Sequence, residues 1–312
     1  MFQARRTDAV LLLVAIVWGS SYLAAKTATY ALPVLVVLFV RYLFSAIACL
    51  TLTLTLATAR RRHRRCTRDE VRVGALLGVT QAAVLVLETY GVAHTSAANA
   101  GLIISLTIVL TPLLDRTAGN GRLPARFFVA TGVCLLAVGL LMSGSGFHAP
   151  GIGDLLMLAA AVVRAAHVAL VGRLTKGLTV RPLQLTAVQT VVGSALFAVP
   201  AASGLPALSR IDAAVLAQLV YLALFCSVFA FLAQTWAVQH SSASRASLLL
   251  GTEPVWAVAI GIGVGGERFT LLAALGTALM VAGTYWGQAI ERAHRAVRNE
   301  EIPRRTTAPT SV

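Results

Sequence analysis

The sequence predicts an all-α integral membrane protein of ten transmembrane helices, built as two five-helix repeats of inverted topology. Three observations carry this. First, the 312 residues are 57% hydrophobic and only 12% charged, with a mean hydropathy of +0.79, too little charge to cover a soluble domain of this length. Second, the apolar residues fall into blocks of about 20, the length that crosses a hydrocarbon core of about 30 Å as a helix. Third, the chain aligns with itself when slid by 146 residues, Asp8 meeting Asp154 and His94 meeting His240.

The blocks can be taken in order. Arg5 and Arg6 followed by an apolar run over 9–17 have the look of a signal peptide. The apolar stretch continues through Trp18 to Ala25 and has a counterpart later in the chain, so 8–27 is read as the first span. The others are 33–56, 71–91, 97–114, 126–144, 153–174, 182–202, 213–238, 243–264 and 270–290. Turn residues mark most of the gaps: Pro33, then Gly119, Asn120 and Gly121 with Pro124, the segment from Gly144 to Gly153, and Gly204, Leu205 and Pro206. Backbone polar groups inside lipid must be satisfied within the segment, which makes these blocks helices. A composition rich in Ala, Leu, Val and 25 Gly suits close helix packing. The domain boundaries follow: a first repeat over 1–145, a second over 151–290, and a basic, disordered cytoplasmic tail over 291–312.

The net charge of +14 points to nucleic acid in a soluble protein, but its placement argues otherwise. Arg60, Arg61, Arg62, His63, Arg64 and Arg65 lie with Arg68 and Arg72 between two apolar blocks, where such clusters set topology. Most of the 26 Lys/Arg fall in the N-terminal segment, in the loops near 60–72, 116–126 and 173–181, and in the tail. The opposite loops carry only Lys26, Arg210 and Arg268. Both termini are therefore expected in the cytoplasm of a cell whose plasma membrane holds the protein. The four cysteines show no CxxC spacing, so no disulfide framework or zinc site is expected.

The slide of 146 also aligns Leu12, Ala15 and Val17 with Leu158, Ala161 and Val163, and Thr89, Val92, Ser96, Ala97, Ala100 and Leu102 with Thr235, Val238, Ser242, Ala243, Ala246 and Leu248. A slide of 144 aligns Gly132, Leu135 and Gly139 with Gly276, Leu279 and Gly283. An odd number of spans per repeat turns the second half upside down relative to the first. Inverted repeats belong to transporters, in which exchanging the two halves' conformations moves the opening from one side to the other.

Trp18-Gly19-Ser20-Ser21 in the first span and Arg41 in the second resemble the opening of an EamA domain. Thr95-Ser96-Ala97-Ala98, Ser241-Ser242-Ala243, Glu253-Pro254 and Gly266-Glu267 extend the resemblance. Over 8–290 the chain is similar to two-domain EamA members of the drug/metabolite transporter superfamily. The resemblance implies a ten-helix carrier that moves small metabolites, often outward, through a central cavity. Three positions depart from the pattern: Arg164 stands at the counterpart of Trp18, Arg122 at that of Glu267, and Pro112 four residues past the position matching Pro254.

Charges deep in apolar spans face the bundle interior, since exposing one at the bilayer centre costs about 2.5–3.5 kcal/mol. Trp18, Arg164 and Glu253 fall near the middle of their spans, and Glu253 is the register counterpart of Thr107. Arg164 suits an anionic substrate group, and Glu253 suits a coupling proton; an Arg164–Glu253 ion pair locking the halves is the structural alternative. Glu88 is the second proton-coupling candidate, or an interfacial carboxylate. His167 shares a helix face with Arg164, Arg41 has snorkelling as an alternative, and Glu267 reads as a loop-facing cap. Trp18, Tyr22, Tyr90 and Trp236 form a candidate aromatic lining, with Ser21, Asn99 and Gln234 as polar contacts. The substrate-binding candidates are thus Trp18, Ser21, Tyr22, Glu88, Asn99, Arg164, His167, Gln234, Trp236 and Glu253.

Gly261, Gly263 and Gly266 have dinucleotide-fingerprint spacing but close an apolar helix and follow no strand, so no nucleotide cofactor is expected. No Walker A, HExxH or HxxxH pattern occurs, and neither cofactor nor metal is implied. The expected function is a secondary-active transporter, an exporter of small metabolites such as amino acids or drug-like compounds, working by alternating access around a midplane cavity. Its expected partners are that substrate, the lipid bilayer and a coupling proton, with no nucleic acid. An integral membrane enzyme or lipid-modifying protein is the alternative, and a channel a third reading.

Overall fold

Helices account for nearly all of the computed structural model, which describes residues 2–59, 66–95, 97–116, 124–143, 151–263 and 271–306. No strand occurs among them. The Arg60–Arg65 run, the Gly119-Asn120-Gly121 turn, Arg122, Gly266, Glu267 and the Asn99 side chain lie outside the described residues.

The first half comprises α1 (Phe2–Ala31), α2 (Val34–Ala59), α3 (Arg68–His94), α4 (Ala97–Ile104), α5 (Thr107–Arg116) and α6 (Ala125–Ser143). The second comprises α7 (Ile152–Thr175), α8 (Pro182–Ala201) with a 3₁₀ extension to Arg210, α9 (Ala213–Ala223), a π-helical turn (Leu224–Phe229), α10 (Ala230–His240), α11 (Ala243–Leu250), α12 (Glu253–Gly263) and α13 (Leu271–Thr306). Among the described residues, six stretches are long and apolar enough to cross a membrane: Arg5–Ala31, Val34–Leu56, Arg68–His94, Ile152–Thr175, Pro182–Arg210 and Ala213–His240. Large apolar side chains face outward along them, among them Leu23, Leu54, Leu155 and Val199. A water-facing surface disfavours this and a lipid-facing one requires it.

Local chemistry sets the helix starts. Thr67 and Glu70 form a reciprocal capping box at α3, the Thr67 hydroxyl accepting from Glu70 N at 3.1 Å and Thr67 N donating to Glu70 Oε2 at 2.9 Å. Asp212 caps α9 through Val215 N at 2.8 Å, and Ser242 caps α11 through Arg245 N at 3.0 Å. Pro182 occupies the first turn of α8, where its missing N–H costs nothing.

The structure corrects the sequence expectation in two places. The spans 97–114 and 243–264 are not continuous helices: each breaks, at Ser105–Leu106 and at Gly251–Thr252. The breaks share the 146-residue register and the same closing bond, Leu106 N to Ile103 O at 3.1 Å and Thr252 N to Leu249 O at 3.2 Å. The last helix also continues through 291–306, where an irregular tail is expected. Arg and Glu, good helix formers, make up half of that stretch and Ala293 and Ala296 add to it, so helix continues there despite Pro303.

Packing between the halves is reciprocal. The helix α1 lies against α11, α12, α9 and α10, and its counterpart α7 lies against α4, α5 and α3, while α2 packs on α8 and α6 on α13. The polar ends repeat the pattern. Asp8 of α1 receives Nε and Nη2 of Arg245 at 2.9 and 2.6 Å. Asp154 of α7, its register counterpart, receives the Thr95 hydroxyl at 2.6 Å. The imidazoles of His94 and His240 meet the carbonyls of Tyr90 and Trp236 at 2.8 and 2.7 Å.

Candidate functional site

Six helices line a common cavity of about 400 Å³, counting its opening toward solvent. The helix α1 contributes Trp18, Ser21 and Tyr22, spaced i, i+3, i+4, so they share one side of the helix. Gln81, Val84, Leu85 and Glu88 form the equivalent stripe on α3. Arg164 and His167 on α7, and Phe231 and Gln234 on α10, are i, i+3 pairs. Arg41 of α2 completes the wall with Glu253, the first residue of α12.

Charge organises the centre. The Arg164 guanidinium donates through Nη1 to Glu253 Oε2 and to Glu88 Oε1, both at 3.3 Å, and through Nη2 to Glu253 Oε1. Its Cζ lies 4.3 Å from the Trp18 ring centroid, a distance at which the ring's negative face attracts a cation. The Tyr22 hydroxyl donates to Glu253 Oε2 at 3.0 Å. Glu253 is only 2% exposed and Arg164 8%. A buried carboxylate needs such partners, and the break before Glu253 adds another: its carboxylate sits at a helix N-terminus, where the dipole favours negative charge.

The π-helical turn builds a second polar wall. The Cys226 carbonyl accepts from Trp18 Nε1 at 3.0 Å and from Arg41 Nη2 at 3.2 Å, and Arg41 Nε donates to the Ser227 hydroxyl at 2.7 Å. Such turns displace carbonyls from the helical ladder; here one carbonyl orients both Trp18 and Arg41. His167 Nδ1 lies 2.8 Å from the Thr80 hydroxyl, which fixes the ring against α3.

Of the expected site residues, Trp18, Ser21, Tyr22, Glu88, Arg164, His167, Gln234 and Glu253 line the cavity. Trp236 does not: its ring lies 4.8 Å from that of His240, and Tyr90 is likewise absent from the wall. Arg41 is corrected in the other direction. It is 6% exposed and bonded inward, so it does not snorkel. Gln81 and Phe231 were not singled out by the sequence, although each stands at helical spacing from a residue that was, Glu88 and Gln234.

Comparison with known proteins places this architecture. A sequence model described as the EamA-like transporter family matches residues 5–143 and again 151–286. An uncharacterized transporter of Archaeoglobus fulgidus is 27% identical over 277 residues, covering 88% of this chain and 83% of that protein. A solved crystal structure superposes with a TM-score of 0.71 at 16% identity, covering 93% of this chain and 98% of its own. The last shows a shared fold alone.

Proposed function

The chain belongs to the EamA-like transporter family, and from that premise we propose that it is a secondary-active carrier that exports small metabolites by alternating access around the Arg164 cavity. The observation that carries the proposal is the meeting of Arg164, Glu88, Glu253 and Trp18 beside a broken helix. Interrupted helices whose ends face a cavity supply polar groups at membrane depth that an intact helix keeps to itself. In this reading α4 with α5, and α11 with α12, each cross the bilayer as one interrupted segment. That makes ten segments, two five-segment halves over 1–145 and 151–290, and opposite orientations for the halves. The reciprocal packing of α1 and α7 and the shared register of the two breaks support it. The Lys/Arg asymmetry supports cytoplasmic termini in the plasma membrane.

The candidate binding residues divide by chemistry. Trp18 and Tyr22 offer aromatic faces, Ser21 and Gln234 polar contacts, and Glu88 and Glu253 carboxylates able to exchange a proton or a cationic group. Among the described residues Glu88 bonds through Oε1 only, to Arg164, so it is the more available of the two. Amino acids and drug-like amines fit such a wall.

Purified protein in proteoliposomes loaded with a defined mixture of small metabolites tests the proposal, with loss of each compound followed by mass spectrometry under an imposed pH gradient. The account expects particular compounds to leave faster than from protein-free liposomes. It fails if none does, or if the protein passes a sustained ionic current, as a channel would.

A further inference from the structure

Arg164 is the conspicuous cation of the cavity, yet its guanidinium already faces two carboxylates. The second cavity arginine is in the opposite condition. Arg41 is 6% exposed, and its hydrogen-bond partners among the described residues are a hydroxyl and a carbonyl; the Glu88 carboxylate acts on it only through space. A buried charge without a directly bonded counter-ion is costly, which is why buried charges are paired almost everywhere.

We infer that Arg41 is the residue that binds an anionic group of the substrate, a carboxylate, and that Arg164 is not. This rests on the carrier reading above and assigns the polarity of its site. A guanidinium has five N–H donors in a planar fork. The Nε and Nη2 edge of Arg41 is taken by Ser227 and Cys226, both on the π-helical turn. Those two bonds fix the plane of the group. They leave Nη1, with no hydrogen-bond partner among the described residues, and the second Nη2 proton. That free end has the two-donor geometry that receives a carboxylate through both oxygens, and Arg41 is part of the cavity wall. A carboxylate approaching Arg164 instead has to displace Glu88 or Glu253 and meet their charge. At Arg41 it displaces no carboxylate and supplies a counter-ion in direct contact.

The π-helical turn thus acquires a role: it holds Arg41 side-on so that its end faces the cavity, and through the same Cys226 carbonyl it holds Trp18 beside Arg164. One displaced carbonyl aligns the proposed anion site with the carboxylate-bound centre.

The test is thermal unfolding of the detergent-purified full chain with carboxylates and their matched carboxamides: alanine and alaninamide, phenylacetate and phenylacetamide, lactate and lactamide. A ligand that binds the folded state raises the melting temperature by mass action. At least one carboxylate is expected to raise it while its amide does not. Arg41→Lys keeps the charge but loses the fork, and should weaken the response about tenfold or more, the worth of a charge-assisted hydrogen bond; Arg41→Gln should abolish it. The inference is overturned if no carboxylate stabilises the wild type, if acid and amide act equally, or if either variant responds as the wild type does. If Arg41→Gln does not fold, the wild-type acid–amide comparison and Arg41→Lys decide. The two readings separate cleanly: flux in proteoliposomes without an Arg41-dependent carboxylate response removes the anion site and leaves the carrier. The response without flux does the reverse.

Discussion

Trp18 and Arg164 stand 146 residues apart at the same position of the repeat, and they touch, the guanidinium carbon 4.3 Å from the ring centroid. Residues that are counterparts in two related halves meet only where the relating axis passes between them. Under the proposed inverted duplication, this pair marks that axis, and the duplicated position has diverged into an aromatic platform and the cation that rests on it. The carboxylates of Glu88 and Glu253 then hold the cation from α3 and α12.

Replacing Trp18 should separate two contributions. Trp18→Phe keeps an aromatic face and loses the bond to the Cys226 carbonyl, with an expected cost of about 1–2 kcal/mol. Trp18→Leu loses the cation–π contact as well, about 1–2 kcal/mol more in a desolvated site. Denaturation in detergent measures both. Equal losses for the two variants contradict the stacked geometry.

The Arg164–Glu253 pair should show strong coupling. Arg164→Gln or Glu253→Gln alone leaves a buried charge short of its partner, at about 3–5 kcal/mol. The double variant should lose clearly less than the sum of the two, and a double-mutant cycle on unfolding midpoints reads this directly. Additive losses mean the contact contributes nothing.

A second buried carboxylate tests the packing of α3 on α8. Glu70 is fully buried and accepts from Arg181 Nε and Nη2, both at 2.7 Å, from Arg181 N at 3.0 Å and from Thr67 N at 2.9 Å. Thr67→Ala removes one cap bond, for about 1 kcal/mol. Glu70→Gln disturbs every bond at that corner and should destabilise more. The reverse order in melting temperature contradicts the arrangement.

Asp8 and Asp154 should act on opposite segments. Asp8→Asn weakens the hold on Arg245 at the start of α11, and Asp154→Asn weakens that on Thr95, just before α4. Hydrogen exchange should quicken over 243–250 in the first variant and over 97–104 in the second. Both variants loosening the same segment is the contrary result.

How much of this was legible in the sequence follows from where the information resides. Arg164, Glu253 and Glu88 declared themselves because charges inside apolar blocks are rare and must turn inward. The 146-residue register was legible from Asp8, His94 and Ser96 with their partners, and it anticipates the symmetry of the two helix breaks. The first break was not: Ser105 and Leu106 carry no proline or glycine. The second had a signal, Gly251 followed by Pro254 in the first turn of α12, but the apolar stretches on either side favoured one span. The inward face of Arg41 was equally hidden. A helix apolar all round shows no polar stripe to orient it, and Ser227 and the Cys226 carbonyl are supplied by a π-helical turn more than 180 residues away. The contact between Glu88 and Arg164 is tertiary in the same sense. Trp236 belonged to the right helix, but its ring went to His240 rather than to the cavity.

The central claim is that the Arg164 cavity opens alternately to the two sides of the membrane, and the reactivity of a single thiol there tests it most directly. Ser21 lines the cavity beside Trp18 and Tyr22. A Ser21→Cys variant, with Cys49, Cys66, Cys134 and Cys226 replaced, can be reconstituted and exposed to a membrane-impermeant maleimide from one side at a time. The account predicts labelling from either side. Labelling from one side only, however long the exposure, contradicts alternating access.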